Sequence, residues 1–285
     1  MLGDPSFLVG ATFIVLLVLA ALLAPWIAPY DPNAQSLNDR LMPPMWLDGG
    51  DSSHVLGTDN LGRDVLSRLL YGARLSLLIA TLVTVVAGGF GILLGLLVGY
   101  VRGWPERLVM GWIDLQVSFP VILLIILIIT VVGPSIVTLV VCISLTHWLI
   151  YTRTTRSAVL SVSQSQYVAA AEVAGGTTWR VLSRHVLPNL VSPLMTLALL
   201  EFATVILVEA ALSFLGLGIQ PPHTSWGLDV AIGKEYIFNA WWLVTFPGLA
   251  ISFTVLSLNF VSSSLRSALD PSSRATRLLA QVGGK

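Results

Sequence analysis

The chain has 285 residues, of which 55% are hydrophobic and only 11% are charged. Soluble domains carry about 25% charged residues, so this composition and a mean hydropathy of +0.84 indicate a membrane protein. The formal net charge is zero, which leaves no basic field for binding nucleic acid. The only cysteine, Cys142, cannot form an internal disulfide, and its apolar neighbours predict a small buried side chain.

Six apolar segments are long enough to form membrane-spanning helices, which need roughly 20 residues each. We place these six spans at residues 7–27, 75–100, 109–132, 136–151, 190–215 and 244–265. The fourth segment is short, and we expect it to extend toward Arg156. The leader before the first segment contains Asp4 but no lysine or arginine, which favours an uncleaved helix over a signal peptide.

The basic residues indicate the orientation of the chain. Six spans put both termini on one side, and that side receives ten of the 15 lysines and arginines. The other five are Arg40, Arg63, Arg68, Arg74 and Lys234. Because cytoplasmic loops are richer in lysine and arginine, this distribution predicts that both termini are cytoplasmic.

Residues 54–74, before the second span, predict an amphipathic helix outside the membrane. Asp59 or Asn60 is a candidate cap for its start, and Asp64 and Arg68 have the spacing of a helical ion pair. The polar face would carry Arg63, Asp64, Ser67 and Arg68. Such a helix is expected to lie along the membrane surface, either as a structural collar or as a gate or docking surface for an external partner.

Glycines recur every four residues in the second span, at Gly91, Gly95 and Gly99, with Gly88 one turn earlier. Residues without side chains allow two helices to approach closely in lipid. The pattern therefore predicts that a second helix packs along this face.

The long connection between the fourth and fifth spans predicts two short helices. Ser165 is a candidate cap for the first, its alanines favour a helix, and Gly175 suits a left-handed stop. Thr178 is a candidate cap for a second helix, 179–187, which Pro188 is expected to interrupt. A helix, a sharp turn and a second helix would make a compact projection on the cytoplasmic face.

This loop resembles the coupling loop of ABC importer permeases, with the signature Glu-Ala-Ala, three residues, Gly, and then Leu-Pro. Here Ala169-Ala-Ala precedes Gly175 and Leu187-Pro188, and the spacing from Gly175 to Pro188 is 188 − 175 = 13. Ala169 replaces the usual glutamate. Further runs resemble the second permease subunit of dipeptide, oligopeptide and nickel importers: 54–74, 167–189, 209–218, 226–227, 240–242, 246–248, Asn259 and 265–271.

The resemblance implies an all-α polytopic fold with six transmembrane helices, of the type I (MetI-like) importer class, in a bacterial inner membrane. It implies a second permease subunit as partner, one or two ATPase subunits that carry ATP and Mg, and an external substrate-binding protein. Di- or oligopeptides, or a small solute such as nickel, would be the cargo. The implied coupling residues are Tyr167, Ala169, Ala170, Ala171, Glu172, Gly175 and Gly176. We divide the chain into residues 1–74, 75–270 and a tail, 271–285.

Ionisable and polar side chains within the spans are candidates for the translocation path or for structural contacts. Glu201 and Glu209 are eight residues apart, which is about 12 Å along a helix and nearly the same face. Asp114, His147 and Asn259 have the same two interpretations, and Asn259 is expected to bond to another helix.

Two other classes of protein are possible. An ion-coupled secondary transporter would explain Glu201 and Glu209, but it would leave the cytoplasmic projection without a role. An intramembrane enzyme would need a nucleophile with its base, or metal ligands at suitable spacing. The sequence contains no His-Glu-x-x-His, no Gly-x-Ser-x-Gly and no phosphate-binding loop. The sequence thus predicts a chain without catalytic residues, a metal site or bound ATP.

Overall fold

The computed structural model describes residues 4–269, and the regular elements among them are helices. Their bounds are α1 Pro5–Ile27, α2 Val65–Val101, α3 Trp104–Val117, α4 Val121–Val132, α5 Ile136–Val162, α6 Gln166–Val173, α7 Thr178–Val181, α8 Leu187–Phe214, α9 Trp226–Gly233 and α10 Trp242–Leu269. A π-helical turn, Leu182–Val186, joins α7 to α8. The predicted tail 271–285, with Arg274, Arg277 and Lys285, lies outside the described residues.

Helices α1, α2, α5 and α10, and the continuous helix from α7 to α8, are each long and apolar enough to cross a membrane. The third predicted span, 109–132, was wrong as a single straight helix. It consists of α3 and α4, which meet at an angle of 83°, and the total is six spans if this bent pair counts as one. Pro120 accounts for the break, because it has no N–H to donate and disfavours a helical conformation in the residue before it.

The fourth span continues beyond its expected end near Arg156, to Val162. Two arginines in the second half of α5 pair with acids of α3. Arg156 Nε donates to Glu106 Oε1 at 2.6 Å, and Arg153 pairs with Asp114. These partners allow α5 to carry two positive charges on a helix that begins as an apolar span.

The glycine face of α2 packs against α5, as predicted. A Cβ atom on Gly91 would lie 2.6 Å from the Trp148 carbonyl oxygen, and one on Gly95 would lie 2.7 Å from the Thr152 carbonyl oxygen. Thr152 also donates its hydroxyl hydrogen to the Gly91 carbonyl at 3.1 Å. The two backbones are close enough that only glycine fits at these positions.

The separate external amphipathic helix was not correctly predicted. α2 begins at Val65, and Asp64 is its N-cap, accepting from the Ser67 N–H at 2.8 Å. The preceding residues form a tight turn in which Asp59 accepts from the N–H groups of Leu61 and Arg63, at 2.8 and 3.0 Å. α2 also runs without a break through residues 74 and 75, where we divided the chain. That division remains a prediction.

The polar face of this segment is buried, and the expected pairing of Asp64 with Arg68 does not occur. Arg68 donates from Nε to Asp229 of α9 at 3.0 Å, and Arg63 donates to Asp59 at 2.6 Å. Burial raises the pKa of the Asp229 carboxyl, and the Arg68 guanidinium opposes that rise. Asp64 instead binds His54 Nδ1 at 2.9 Å. The charges therefore join the start of α2 to the loop before it and to α9.

Candidate functional site

The first helix that the sequence predicts between the fourth and fifth spans is confirmed as α6. One side chain anchors it: Val168 is fully buried in an apolar cluster with Leu96 of α2, Val159 of α5 and Val181 of α7. The implied coupling residues Tyr167, Ala169, Ala170, Glu172 and Gly175 are exposed, whereas Ala171 and Gly176 are partly buried. Sequence reasoning did not single out Val168, although its apolar side chain among alanines was the signal.

A glycine turn ends α6, as the sequence predicts. Gly175 has φ +81°, and its N–H donates to the Glu172 carbonyl at 2.9 Å. The N–H of Gly176 donates to the Ala171 carbonyl at 3.1 Å. This pair of bonds is the Schellman motif, which satisfies carbonyls at a helix end and reverses the chain.

A hydrogen bond that the sequence did not indicate ties α6 to the end of α2. The Tyr100 hydroxyl donates to Glu172 Oε1 at 2.6 Å. The two residues are 72 positions apart, so no local pattern could pair them. The bond gives α6 a direct connection to a membrane-spanning helix in addition to its covalent links.

The second helix of the loop differs from the prediction. Thr177, not Thr178, is the cap, and its side chain accepts from the Arg180 N–H. Pro188 does not interrupt the helix, because it occupies the first turn of α8, where no N–H is needed. The π-helical turn precedes it, with the Leu187 N–H donating to the Leu182 carbonyl. A nearly continuous helix, long and apolar enough to cross a membrane, thus leads from just after the turn at Gly175 to Phe214.

The loop presents an apolar surface away from the bundle. Val173 is 91% exposed and Trp179 is 64% exposed, and both flank the turn at Gly175. Tyr167 is also exposed. The small alanines between these larger side chains keep the surface of α6 low. A helix with such a surface can be bound in a groove on a partner protein.

Glu209 lies in a buried cage of hydroxyl groups near the opposite end of α8. It accepts from Ser213 at 2.8 Å, from Ser225 at 2.9 Å and from Ser76 at 3.3 Å. These serines belong to α8, to the N-cap of α9 and to α2. The carboxylate is 1% exposed, and its contacts join three helices.

Glu201 belongs to a different cluster. Its Oε2 atom lies 3.8 Å from His147 Nε2 of α5, and no shorter polar contact to it occurs among the described residues. His147 Nδ1 lies 3.0 Å from the Ile143 carbonyl, to which it donates. Glu201 and Glu209 therefore lie on one helix at the predicted spacing, but they have separate partners.

The other two polar candidates lie at the surface of the chain. Asp114 is exposed and pairs with Arg153. Asn259 was expected to bond to another helix, which was wrong: it is exposed and donates to the Val255 carbonyl of its own helix at 2.9 Å. Between residues 4 and 269, no group of three or more His, Cys, Asp or Glu side chains is arranged to hold a metal ion.

The bend between α3 and α4 opens an apolar groove in the membrane-spanning part. The groove has a volume of about 830 Å³ and lies between α2, α3, α4 and α5. Its aromatic lining consists of Phe90, Trp112, Phe119 and Trp148. It faces outward from this chain, so lipid or another protein must cover it.

Comparisons with known proteins agree with this architecture. Residues 91–275 match the family model described as the inner membrane component of binding-protein-dependent transport systems. Residues 2–44 match the N-terminal transmembrane domain of oligopeptide transport permease C. The two models together cover the loop that contains α6, both Glu201 and Glu209, and α1.

Individual relatives are similar over most of their length. The chain is 46% identical to the di/tripeptide transport system permease protein DppC of Pseudomonas aeruginosa strain UCBPP-PA14, over 92% of this chain and 86% of that protein. It is 43% identical to the dipeptide transport system permease protein DppC of Escherichia coli K12, over 92% and 88%. A putative peptide transport system permease protein of Brucella suis biovar 1 is 40% identical, over 93% and 88%. The chain therefore belongs to the family of inner membrane components of binding-protein-dependent transport systems, as a non-catalytic permease subunit of an ABC importer.

Proposed function

We propose that this permease carries di- and oligopeptides across the bacterial inner membrane, together with a second, similar permease subunit. One or two ATPase subunits, with ATP and Mg, would supply the energy, and an external binding protein would deliver the peptide. The observation that carries the choice of cargo is the name of the relatives above, which are 40–46% identical and are peptide permeases. None of these three relatives is named for nickel, the other cargo that the sequence resemblance implies.

The exposed α6 and its turn are the proposed contact with the ATPase. The residues concerned are Tyr167, Ala169, Ala170, Ala171, Glu172, Gly175 and Gly176. ATP can shift the transporter between two conformations only if it binds those conformations with different affinity. Since ATP binds to the ATPase, a change of conformation there must reach the permease through this contact. The Tyr100–Glu172 bond and the continuous helix toward Phe214 would transmit that motion to α2 and α8.

The proposed orientation puts both termini and α6 in the cytoplasm. The excess of arginine on that side supports it, and so does the apolar surface around Gly175, which fits a protein partner better than a lipid headgroup region. Fusion of a reporter enzyme to the chain after Gly175 and, separately, after Asn33 tests the orientation. Cytoplasmic activity is expected only for the first fusion.

Uptake by the purified transporter tests the function. The tagged chain is expected to co-purify with a second permease and with ATPase subunits, and proteoliposomes containing this complex, with the binding protein outside, should accumulate a labelled dipeptide when ATP is supplied. Nickel is the comparison cargo. Accumulation of nickel but not of the dipeptide would overturn the proposed cargo.

The ion-coupled alternative has a separate outcome in the same assay. A dipeptide uptake that survives inactivation of the ATPase and stops when the ion gradient is dissipated would support the alternative mechanism through Glu201 and Glu209. Uptake that follows ATP hydrolysis and ignores the gradient supports the ATP-driven importer.

A further inference from the structure

Arg74 marks the polar boundary of α2 on the side where α1 ends. α2 has 37 residues, which is about 55 Å of helix, whereas the hydrocarbon core is roughly 30 Å thick. No charged residue occurs between Arg74 and Arg102. The guanidinium of Arg74 is therefore expected at the level of the lipid headgroups, in the leaflet opposite the two termini.

Arg74 differs from the other arginines at this end of the bundle because it has no partner. Arg63 pairs with Asp59, and Arg68 pairs with Asp229. The exposed side chain of Arg74 makes no hydrogen bond or ion pair with any residue between 4 and 269. An unpaired guanidinium presents several N–H donors in the geometry that suits phosphate.

A pocket of about 320 Å³ lies beside Arg74. It is lined by the segment after α1, by the outer turns of α2 and by the segment before α9. Its polar side chains are Asp31, Asn33, Tyr71, Arg74, His223 and Thr224. Asp31 and Arg74 do not form an ion pair, although both line the same pocket. Among the described residues, the Asp31 side chain accepts only the Asn33 N–H, at 2.7 Å. Opposite charges that line one pocket without pairing fit a ligand that carries both signs.

The floor of this pocket continues into an apolar stripe. Leu75 and Leu78 line the pocket, and the exposed face of α2 below them carries Leu82, Val85 and Val86. Together with Arg74, these positions follow the spacing of one helical face. A soluble zwitterion would use only the pocket, whereas a lipid would use the pocket for its headgroup and the stripe for an acyl chain.

We propose that this pocket binds the headgroup of a zwitterionic phospholipid with a primary ammonium, such as phosphatidylethanolamine. Arg74, with the Tyr71 hydroxyl and the His223 imidazole, holds the phosphate. Asp31 receives the ammonium. An acyl chain lies along Leu78, Leu82 and Val85.

Lipid retention by the intact importer tests the proposal. The complex is purified with phosphatidylethanolamine, with phosphatidylcholine or with phosphatidylglycerol, and bound lipid is counted by native mass spectrometry. Phosphatidylethanolamine should be retained best, because phosphatidylcholine lacks ammonium hydrogens and phosphatidylglycerol lacks the ammonium. Arg74→Gln should lower the retention of phosphatidylethanolamine about tenfold. Arg74→Lys should lower it less than Arg74→Gln, because a positive charge remains.

Two further variants sharpen the result. Asp31→Asn should remove the preference for phosphatidylethanolamine over phosphatidylcholine while retaining a bound phospholipid. Arg40→Gln is the matched control, because it removes a positive charge at the same end, outside the pocket, where Arg40 donates to the Asn60 carbonyl. The complex with Arg40→Gln should retain as much phosphatidylethanolamine as the unaltered complex.

The proposal is overturned if Arg74→Gln and Arg40→Gln retain the same amount of each lipid. It is also overturned if millimolar dialanine or inorganic phosphate displaces the bound lipid, because the pocket would then be a site for a soluble ligand. Lipid that resists both competitors and depends on Arg74 supports it. Co-purification of the partner subunits with each variant confirms that the complex has assembled.

Discussion

At the scale of single residues, Glu209 is a buried carboxylate that has no basic partner within residues 4–269. Three serine hydroxyls from α2, α8 and the start of α9 donate to it. Buried polar groups are stable only when their hydrogen bonds are satisfied, and this cage satisfies both carboxylate oxygens. The interpretation of Glu209 as a packing residue is therefore favoured over a role in contacting the cargo.

Replacing Glu209 tests this interpretation. Glu209→Leu leaves three buried hydroxyls without their acceptor, at about 1–3 kcal/mol each, and should lower the melting temperature of the purified complex clearly. Glu201→Leu is the matched control on the same helix, because Glu201 has only the 3.8 Å contact with His147. Equal losses in the two variants would contradict the structural role of the cage.

Tyr100, unlike Glu209, has a proposed role that depends on a single contact. Tyr100→Phe removes the hydroxyl that donates to Glu172, and because the bond is exposed to solvent it should change stability little. We expect ATP-driven uptake to fall several-fold while the ATPase subunits remain bound. Tyr236→Phe, which removes a hydroxyl that bonds to no described residue, should leave uptake unchanged. Normal uptake by both variants would show that the bond does not transmit motion.

At the scale of elements, the contact between α2 and α5 depends on glycines that face the neighbouring backbone. Gly91→Ala should destabilise the bundle by about 1–3 kcal/mol, because its Cβ would overlap the Trp148 carbonyl and Tyr151. Gly89→Ala lies on the same helix, and its Cβ meets nothing within 4 Å, so it should be neutral or stabilising by up to about 1 kcal/mol. Thermal unfolding of the two variants measures the difference. Similar melting temperatures would contradict the close approach.

The coupling turn offers a second element-scale test. Gly175→Val forces a β-branched residue into positive φ, at about 1–2 kcal/mol, and should disturb the turn and reduce ATP-driven uptake. Gly216 ends α8 with the same pair of hydrogen bonds, at φ +79° and with the same open space around its Cβ. Gly216→Val therefore carries the same strain at the other end of the bundle.

The measurement is uptake divided by the amount of assembled complex. We expect the loss for Gly175→Val to be at least several-fold greater than for Gly216→Val. If both variants lose uptake equally, strain alone explains the effect, and α6 has no special role in coupling.

At the scale of the whole molecule, distant segments pack together over one end of the helix bundle. The Arg68–Asp229 pair joins α2 to α9, and the Trp242 Nε1–H donates to the Thr58 carbonyl at 3.2 Å. Removing one partner of a buried ion pair leaves an uncompensated charge, which lowers the free energy of unfolding by about 3–5 kcal/mol. Arg68→Met should therefore destabilise the complex strongly, as measured by the yield and melting temperature.

A second substitution separates charge from packing. Asp229→Asn added to Arg68→Met removes the orphaned carboxylate and should recover a large part of the lost stability. A double variant no more stable than Arg68→Met would indicate that the arginine acts through its packing alone.

Local sequence patterns predicted the elements better than their junctions. The turn at Gly175 and the glycine face of α2 were predicted because each depends on one or two neighbouring residue types. The predictions of a straight third span and of the start of α2 were wrong, because apolar periodicity alone does not indicate where a helix bends or begins. Pro120 and Asp64 carried those signals. The prediction that Asn259 bonds to another helix was wrong, because a polar side chain in a span can instead donate its hydrogen bond to a carbonyl of its own helix.

The sequence by itself determined that this chain is an all-helical membrane protein, where most spans lie and which loop resembles a coupling loop. Composition, apolar runs and turn chemistry are local properties, and they need no knowledge of neighbouring helices. The tertiary structure alone decided the partners of the charged groups. Ser76 lies 133 residues from Glu209, and Arg68 lies 161 residues from Asp229. Only packing brings such pairs together, because burial makes each polar group require a partner that the sequence does not name.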